Sequence, residues 1–508
     1  MCLGGCALEY LTEGPPLGTG GSGVGAGGTG EGGVGLGGST STGGSGGEAG
    51  VGPSNEDWAF AYGSGEDLQE GTAVAVDRTC GGGGCPVLVG FFADNIDFGG
   101  QTLMATLRDP IDVDVFVAKL DADGKHLWSK DFGDDREQRA RAVAVDHLGN
   151  VVMTGFFRGE IDFGAGTPFV SAPEYRNDVF VSKLSPGGAH VWSRSYGGEI
   201  DGTDGEHQNG ESVAVNQDGD VYVAGSFTGA ITFDGVQHDA TDGQDIFLLK
   251  LDPAGERLWS KSWDGASSNN VPTVAVDAEN EVYLAGHFTG ALDFGCDPPL
   301  SAGDDDDAFI VKLAGDTGDC LWAKQFGDGS SAQPVRAVAP TPDGDVVVVI
   351  ELNGGIDFGD GNVTGAARDV VVARLSGETG EVVWGYRAVD PKEQYVADVA
   401  VDVDGSVVLA GSFTESLTMD PEQPEAAVHS NGESDIFLVR LDPDGKLSWA
   451  QGFGSYANDY GRSVALDGQG HALLTGAFRG EIDFGKTLLT SNKLEQDVFL
   501  AKFGPDAP

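Results

Sequence analysis

The chain has 508 residues, 40% apolar and 9% aromatic, with 29 basic against 80 acidic side chains and a formal charge of −51. A surface of that sign repels nucleic-acid phosphates and anionic lipid, which excludes nucleic acid as an expected partner and leaves cations and basic partners open. Six cysteines in so long a chain suggest neither a disulfide scaffold nor a zinc cluster, and the longest apolar runs, such as Val346 to Ile350, fall far short of the roughly 20 residues a membrane helix needs.

Taken in order, residues 1–13 read MCLGGCALEYLTE, and Leu3-Gly4-Gly5-Cys6 resembles a bacterial lipobox, which implies Cys6 as the lipid-bearing residue. A signal peptide needs a basic and then an apolar region before its cleavage site. Only five residues precede Cys6, so a truncated lipoprotein signal is expected, with the true start upstream of Met1. Residues 14–54 hold 20 glycines in 41 positions with Ser and Thr as filler, a composition that cannot pack and reads as a disordered tether.

From residue 55 to 508 the pattern changes to repeats, each with four short apolar segments bounded by Gly, Asp and Pro. The first segment is A-V-A-V-D-like and is anchored at Val74, Val143, Val213, Val274, Val338, Val399 and Val464. The second is VYVAGSF-like and follows a tight turn such as Asp218-Gly219-Asp220. An acid opens the third at Asp114, Asp178, Asp245, Asp307, Asp369, Asp435 and Asp497, and a base follows five residues later at Lys119, Lys183, Lys250, Lys312, Arg374, Arg440 and Lys502. The fourth carries W-x-x-x-aromatic-Gly, as in Trp128, Phe132 and Gly133.

Trp128, Trp192, Trp259, Trp322, Trp384 and Trp449 close six repeats, whereas the seventh stops at Pro508 without one. Trp58, Tyr62 and Gly63 supply the missing segment at the other end. An N-terminal strand that completes the last unit is what a closed ring needs, so the sequence predicts an all-β, seven-bladed β-propeller with four antiparallel strands per blade.

These motifs, D-x-F-V-x-K-L-D, W-x-x-x-F-G and V-A-V-D-x-x-G-N-V, together resemble the SBBP-type beta-propeller repeat of bacterial secreted and surface proteins, over Asp57 to Phe503. The resemblance implies an architecture and an extracytoplasmic address, either lipoprotein or secreted, and carries no chemistry. The fifth repeat departs from the pattern, with Pro340 read in place of Asp and Glu351, Leu352 and Ala388 in place of small or aromatic residues, so blade 5 is expected to be the least regular.

The acid opening each third segment is read as a turn cap. Each base is read as laying its stem on the blade edge with its charge in water. A second acid, in IDFG, sits at Asp97, Asp162, Asp293, Asp357 and Asp483 and reads as turn chemistry too. Tight Asp/Gly turns are expected on one face of the ring, and long, dissimilar connections, Gly99 to Val113 and Gly197 to Glu211 among them, on the other. Variable loops on a rigid ring are where binding resides.

On the long-loop face, Asp201, Asp204 and Glu206 beside His207, and the run Asp304, Asp305, Asp306 and Asp307, are the candidates for calcium. No other cofactor is expected. The histidines are scattered and read as structural, and no nucleophile elbow or triad is present. Cys80 and Cys85 bracket a turn where a bridge is easy. Cys296 and Cys320, which occur together in one repeat, are expected to pair as well, which requires the segment Leu292 to Cys296 to fold back along its blade.

These features point to a monomeric, non-enzymatic, extracytoplasmic binding or adhesion module for a protein or glycan, touching the membrane only through Cys6. Two alternatives stand beside it: a secreted glycan-active enzyme with carboxylates at the channel mouth, or a structural envelope protein.

Overall fold

The structure is a computed structural model that describes residues 55–63, 68–106, 112–171, 176–197, 207–264, 271–303, 306–327, 332–352, 355–357, 362–364, 369–387, 392–418, 427–491 and 496–506. Every regular element among them is a strand. Seven four-stranded antiparallel sheets, the blades, follow one another along the chain. Blade 1 shows the plan: strand a is Gln69–Asp77, b is Cys85–Phe92, c is Asp114–Leu120 and d is His126–Phe132, paired in the order a-b-c-d.

Blade 7 takes strands a to c from Tyr460–Leu466, Ala472–Arg479 and Gln496–Phe503, and its strand d is Glu56–Tyr62, in register through Ala59 and Ala501. Each strand a touches the strand a of the next blade, and this contact runs from blade 1 through blade 7 and back to blade 1. Strand a is therefore innermost and the ring is closed.

The core lies between blades. Leu88 and Phe116 of blade 1, for instance, pack with Leu473, Val498 and Leu500 of blade 7. The IDFG phenylalanine is the wedge at these joints: Phe163 of blade 2 stands 4.9 Å from Phe132 of blade 1 and 5.1 Å from its own Phe180. Phe98 and Phe484 repeat the arrangement against Tyr62 and Phe453, as does Phe294 against Trp263, the eighth tryptophan.

The repeated tryptophan also acts across the joint. Its indole Nε1 donates to a carbonyl in the c–d turn of the next blade, or its counterpart after strand c, at all seven joints: Trp128 to Pro186 at 2.9 Å, Trp192 to Pro253 at 3.0 Å, Trp259 to Gly315 at 3.1 Å, Trp322 to Gly377 at 3.0 Å, Trp384 to Pro443 at 3.1 Å, Trp449 to Pro505 at 3.3 Å and Trp58 to Ala122 at 3.2 Å. The ring of Trp128 lies against Gly188 of that turn, where φ is 79° and an added Cβ would meet the indole at 2.9 Å. Backbone conformation and close approach both demand glycine there.

One expectation is overturned. The base of strand c does not hold its charge in water; Lys119, Lys183, Lys250, Lys312, Arg374, Arg440 and Lys502 are 3 to 9% exposed. Each forms an ion pair with an acid at the end of strand a or in the a–b turn of its own blade. The partners are Asp77 at 2.5 Å, Asp146 at 2.9 Å, Asp220 at 2.8 Å, Asp277 at 3.2 Å, Asp345 at 2.9 Å, Asp402 at 2.5 Å and Asp467 at 2.9 Å. Lys119, Lys250 and Lys312 also donate to the next blade's turn carbonyl that takes the tryptophan. A buried ammonium needs both partners, and the tight turns supply them.

The acid opening strand c is itself buried in every blade but the second, where Asp178 is partly exposed. Asp114 accepts from the Thr106 amide at 3.0 Å and Asp435 from the Asn431 amide at 2.6 Å, as turn caps, and both lie under the glycine that ends strand d, Gly133 and Gly454. The IDFG acids do cap their turns: Asp97, Asp162, Asp293 and Asp483 accept from amides two residues on at 2.7 to 2.9 Å.

The described part of blade 5 keeps four strands, and its bulges in strands a and d fall where those of blade 6 do. Its register puts Pro340 in the place of Val76, opposite Val346, and Thr341 in the place of the acid.

Candidate functional site at the channel mouth

Innermost strands supply the wall of the central channel, and two features of that wall divide it. Toward the tight turns a cavity of about 550 Å³ is lined by Val76, Val145, Val401 and Leu466 together with Arg78, Thr79, Asp146 and His147. Toward the start of strand a the wall is charged and differs from blade to blade.

The reason is a β-bulge. In six blades the described part of strand a has one extra residue opposite strand b, between Gly71 and Ala73, Ala140 and Ala142, Gly210 and Ser212, Val335 and Ala337, Val396 and Asp398, and Gly461 and Ser463. A bulged residue is left out of the pairing and its side chain is re-aimed. Those residues are Thr72, Arg141, Glu211, Arg336, Ala397 and Arg462. Three of the six are arginine in a chain where acids outnumber bases 80 to 29.

Each of these arginines is tied to a glutamate. Arg336 pairs with Glu351 at 2.6 Å, Arg462 with Glu70 of blade 1 at 2.9 Å and Arg141 with Glu211 of blade 3 at 3.8 Å. Arg139, two residues earlier on blade 2, pairs with Glu137 at 2.8 Å, and Glu137 also takes Arg158 at 2.8 Å. In every one of these pairs the guanidinium is the more exposed partner, most clearly at 26% against 1% for Arg336 and Glu351 and 19% against 6% for Arg141 and Glu211. Aromatic faces fix their planes: Arg139 over Phe91 at 4.2 Å, Arg336 over Tyr395 at 4.9 Å and Arg462 over Tyr460 at 4.9 Å.

Burial sets the titration of the acids behind. It pushes Glu211 above the ordinary carboxylate range against the pull of Arg141, and it pushes Asp398 up to about 6 although Ser463 and two amides donate to it. His287, 7% exposed, is pushed down to about 4 by burial and then by Arg336, so it is neutral at pH 7. The acids of the mouth are held by arginines, hydroxyls and amides, and each paired guanidinium keeps more solvent exposure than its acid.

Among the residues singled out from sequence, Cys6, Asp201, Asp204, Glu206, Asp304 and Asp305 lie outside the described residues. Asp307 is 4% exposed beneath Gly327, with Gln325 donating to it at 3.3 Å. The Asp306 carbonyl accepts from the Gln333 amide at 2.9 Å. Among the described residues no group of three or more His, Cys, Asp and Glu side chains is placed to hold a metal. His126 and His190 bond Ser129 and Ser193 on the outer strand, at 3.0 and 3.1 Å.

Both disulfides are formed, Cys80–Cys85 and Cys296–Cys320, with Cα atoms 5.6 and 5.5 Å apart. The second is reached because the b–c connection of blade 4 does not stay on the long-loop face. It forms a two-stranded ribbon, Ala291–Leu292 with Leu300–Ser301, that lies back along strand d, Cys320–Phe326. Five other blades carry such a ribbon.

Sequence reading passed over the bulge arginines. The signal was available as the residue two before each anchor valine, where the copies disagree most in charge, but its aim into the channel depends on a bulge that periodicity does not reveal.

No family model matches the chain. It is similar to an uncharacterized WD repeat-containing protein of Acanthamoeba polyphaga mimivirus, 19% identical over 455 residues, which is 72% of this chain and 32% of that protein. It is also similar to a quinoprotein ethanol dehydrogenase of Pseudomonas putida, 30% identical over 250 residues, which is 48% of this chain and 31% of that protein. The chain thus spans about a third of the length of either relative. Solved structures that resemble it include a quinohemoprotein alcohol dehydrogenase of Pseudomonas putida HK5, with a TM-score of 0.40, 13% identity and coverage of 90% and 77% of the two chains. BamB of Moraxella catarrhalis follows with a TM-score of 0.34, 10% identity and coverage of 88% and 100%.

Proposed function

We propose that this propeller is a non-enzymatic binding or adhesion module, extracytoplasmic and anchored to a bacterial surface through a lipid on Cys6, that engages its ligand as a monomer at the long-loop end of the channel. One observation carries the reading: the bulge of the innermost strand is a fixed backbone feature whose side chain changes from blade to blade. Architecture explains what every blade shares, and a site explains where they differ. Glutamates tied to arginine, as Glu211, Glu351 and Glu70 are, favour recognition of a ligand. Two disulfides favour an oxidising compartment.

The test is capture of protein and glycan by the full chain, compared with Arg336→Gln and Arg462→Gln variants. Retention that falls in the variants supports the reading, and hydrolysis of a captured glycan would overturn it in favour of an enzyme. For the anchor, incorporation of labelled fatty acid during expression with a functional upstream signal should disappear in Cys6→Ser.

A further inference from the structure

The arginines are not spread evenly around the mouth. Arg139, Arg141, Arg158 and Arg176 all belong to blade 2, within 38 consecutive residues of a chain that carries −51 overall. Glu137 bridges Arg139 and Arg158, and the Nε of Arg158 donates to Asn177 Oδ1 at 2.7 Å. Asn177 in turn donates to Asn209 Oδ1 at 2.8 Å, so the cluster is braced on blade 3 by a buried amide relay. Phe91 and Phe156 lie beneath the guanidiniums of Arg139 and Arg141, at 4.2 and 5.4 Å. Glu211, behind Arg141, is nearly buried. His207 is held below its ordinary value by burial first and then by Arg158 and Arg176.

We infer that the blade 2 side of the channel mouth is a binding site for a single carboxylate, with the Arg139 and Arg141 guanidiniums as its donors. Two planar forks held on aromatic faces, Arg139 with Glu137 and Arg158 beside it and Arg141 with Glu211, match a planar two-oxygen group. The whole-chain charge narrows the ligand further. A field from −51 repels a dianion about twice as strongly as a monoanion and a polyanion more strongly still. A phosphate or a densely charged polymer is therefore disfavoured, and a monocarboxylate, free or as an isolated sugar acid, is the class that fits. This inference rests on the reading of the long-loop end as the binding end.

Calorimetric titration of the full chain with sodium acetate and with sodium D-glucuronate tests it, with D-glucose as the neutral control and sulfate as the dianion. Binding of either carboxylate, weaker binding of sulfate and none of glucose is expected; acetate and glucuronate separate a simple acid from a sugar acid. Arg139→Gln/Arg141→Gln should weaken the bound carboxylate by about tenfold or more. Should that pair fail to fold by circular dichroism, Arg139→Lys/Arg141→Lys keeps the charge, removes the forks and should still lose affinity. No heat with both carboxylates, equal affinity for sulfate, or affinity unchanged in a folded variant would overturn the site. Capture of a protein or glycan that persists in the double variant would leave the binding-module reading standing and remove this one.

Discussion

Two sets of ion pairs occupy the two ends of this ring, and they differ in every respect except chemistry. At the tight-turn end a base from strand c meets an acid of strand a or the a–b turn in all seven blades, with the base 3 to 9% exposed, and each tryptophan clamp lies alongside. At the long-loop end arginine meets glutamate only on some blades, and the arginine is the more exposed partner. Pairs that recur and are buried hold the blades together. Pairs that are irregular and keep part of the guanidinium exposed mark where the blades differ.

The largest effect should come from the buried set. Lys183→Met leaves Asp146 uncompensated and should cost about 3–5 kcal/mol in chemical denaturation, while Lys183→Met with Asp146→Asn, which keeps an acceptor for the Leu148 and Asn150 amides, should recover part of it. If the single variant were neutral, the buried ring would not be structural. Next, the Cys296–Cys320 bridge closes a loop with a sequence separation of 24. Replacing both cysteines by serine should cost about 3–4 kcal/mol on chain-entropy grounds.

The tryptophan clamp comes third. Trp58→Phe removes one donor at the seam where the ring closes and should cost about 1 kcal/mol or somewhat more with the lost area. At the other end, Arg462→Gln with Glu70→Gln should change stability by less than about 1 kcal/mol, because the pair is partly solvated. A large loss there would move the channel-mouth pairs into the structural class.

Acidity separates the buried carboxylates in a further way. Burial pushes Asp114 and Asp459 up to about 7 and Asp398 and Asp435 up to about 6. Groups raised in the folded state favour folding below the unfolded value near 3.9 and lose that contribution as pH climbs through 6 to 7. Asp77, Asp146 and Asp467 are held below their ordinary value by lysine and local hydrogen bonds despite the larger opposing effect of burial, so their contribution is present above about 4 and lost below it. The thermal midpoint should therefore rise from pH 8 to about pH 5 and fall again below about pH 4; a midpoint that rises steadily toward alkaline pH would contradict these assignments.

How far the chain could be read in advance depends on the range of the interaction. Strand pattern, turn glycines and the displaced Trp58 are local signals, and they gave the blade count and the closure. The fate of Lys119 was not local: a base five residues after an acid looks like a surface residue until the next blade's turn brings its carbonyl 3.2 Å away. Cys296 likewise reaches Cys320 only because the IDFG ribbon doubles back, drawn by Phe294 into the joint with Trp263.

By itself, then, the sequence determined the ring, since seven copies of one pattern with a strand moved from end to start admit a single closed arrangement. Only the tertiary structure decided which charges face water. Burial and aim are properties of neighbouring blades and of the bulge in six of the innermost strands, and Arg141, Arg336 and Arg462 differ from their counterparts by side chain.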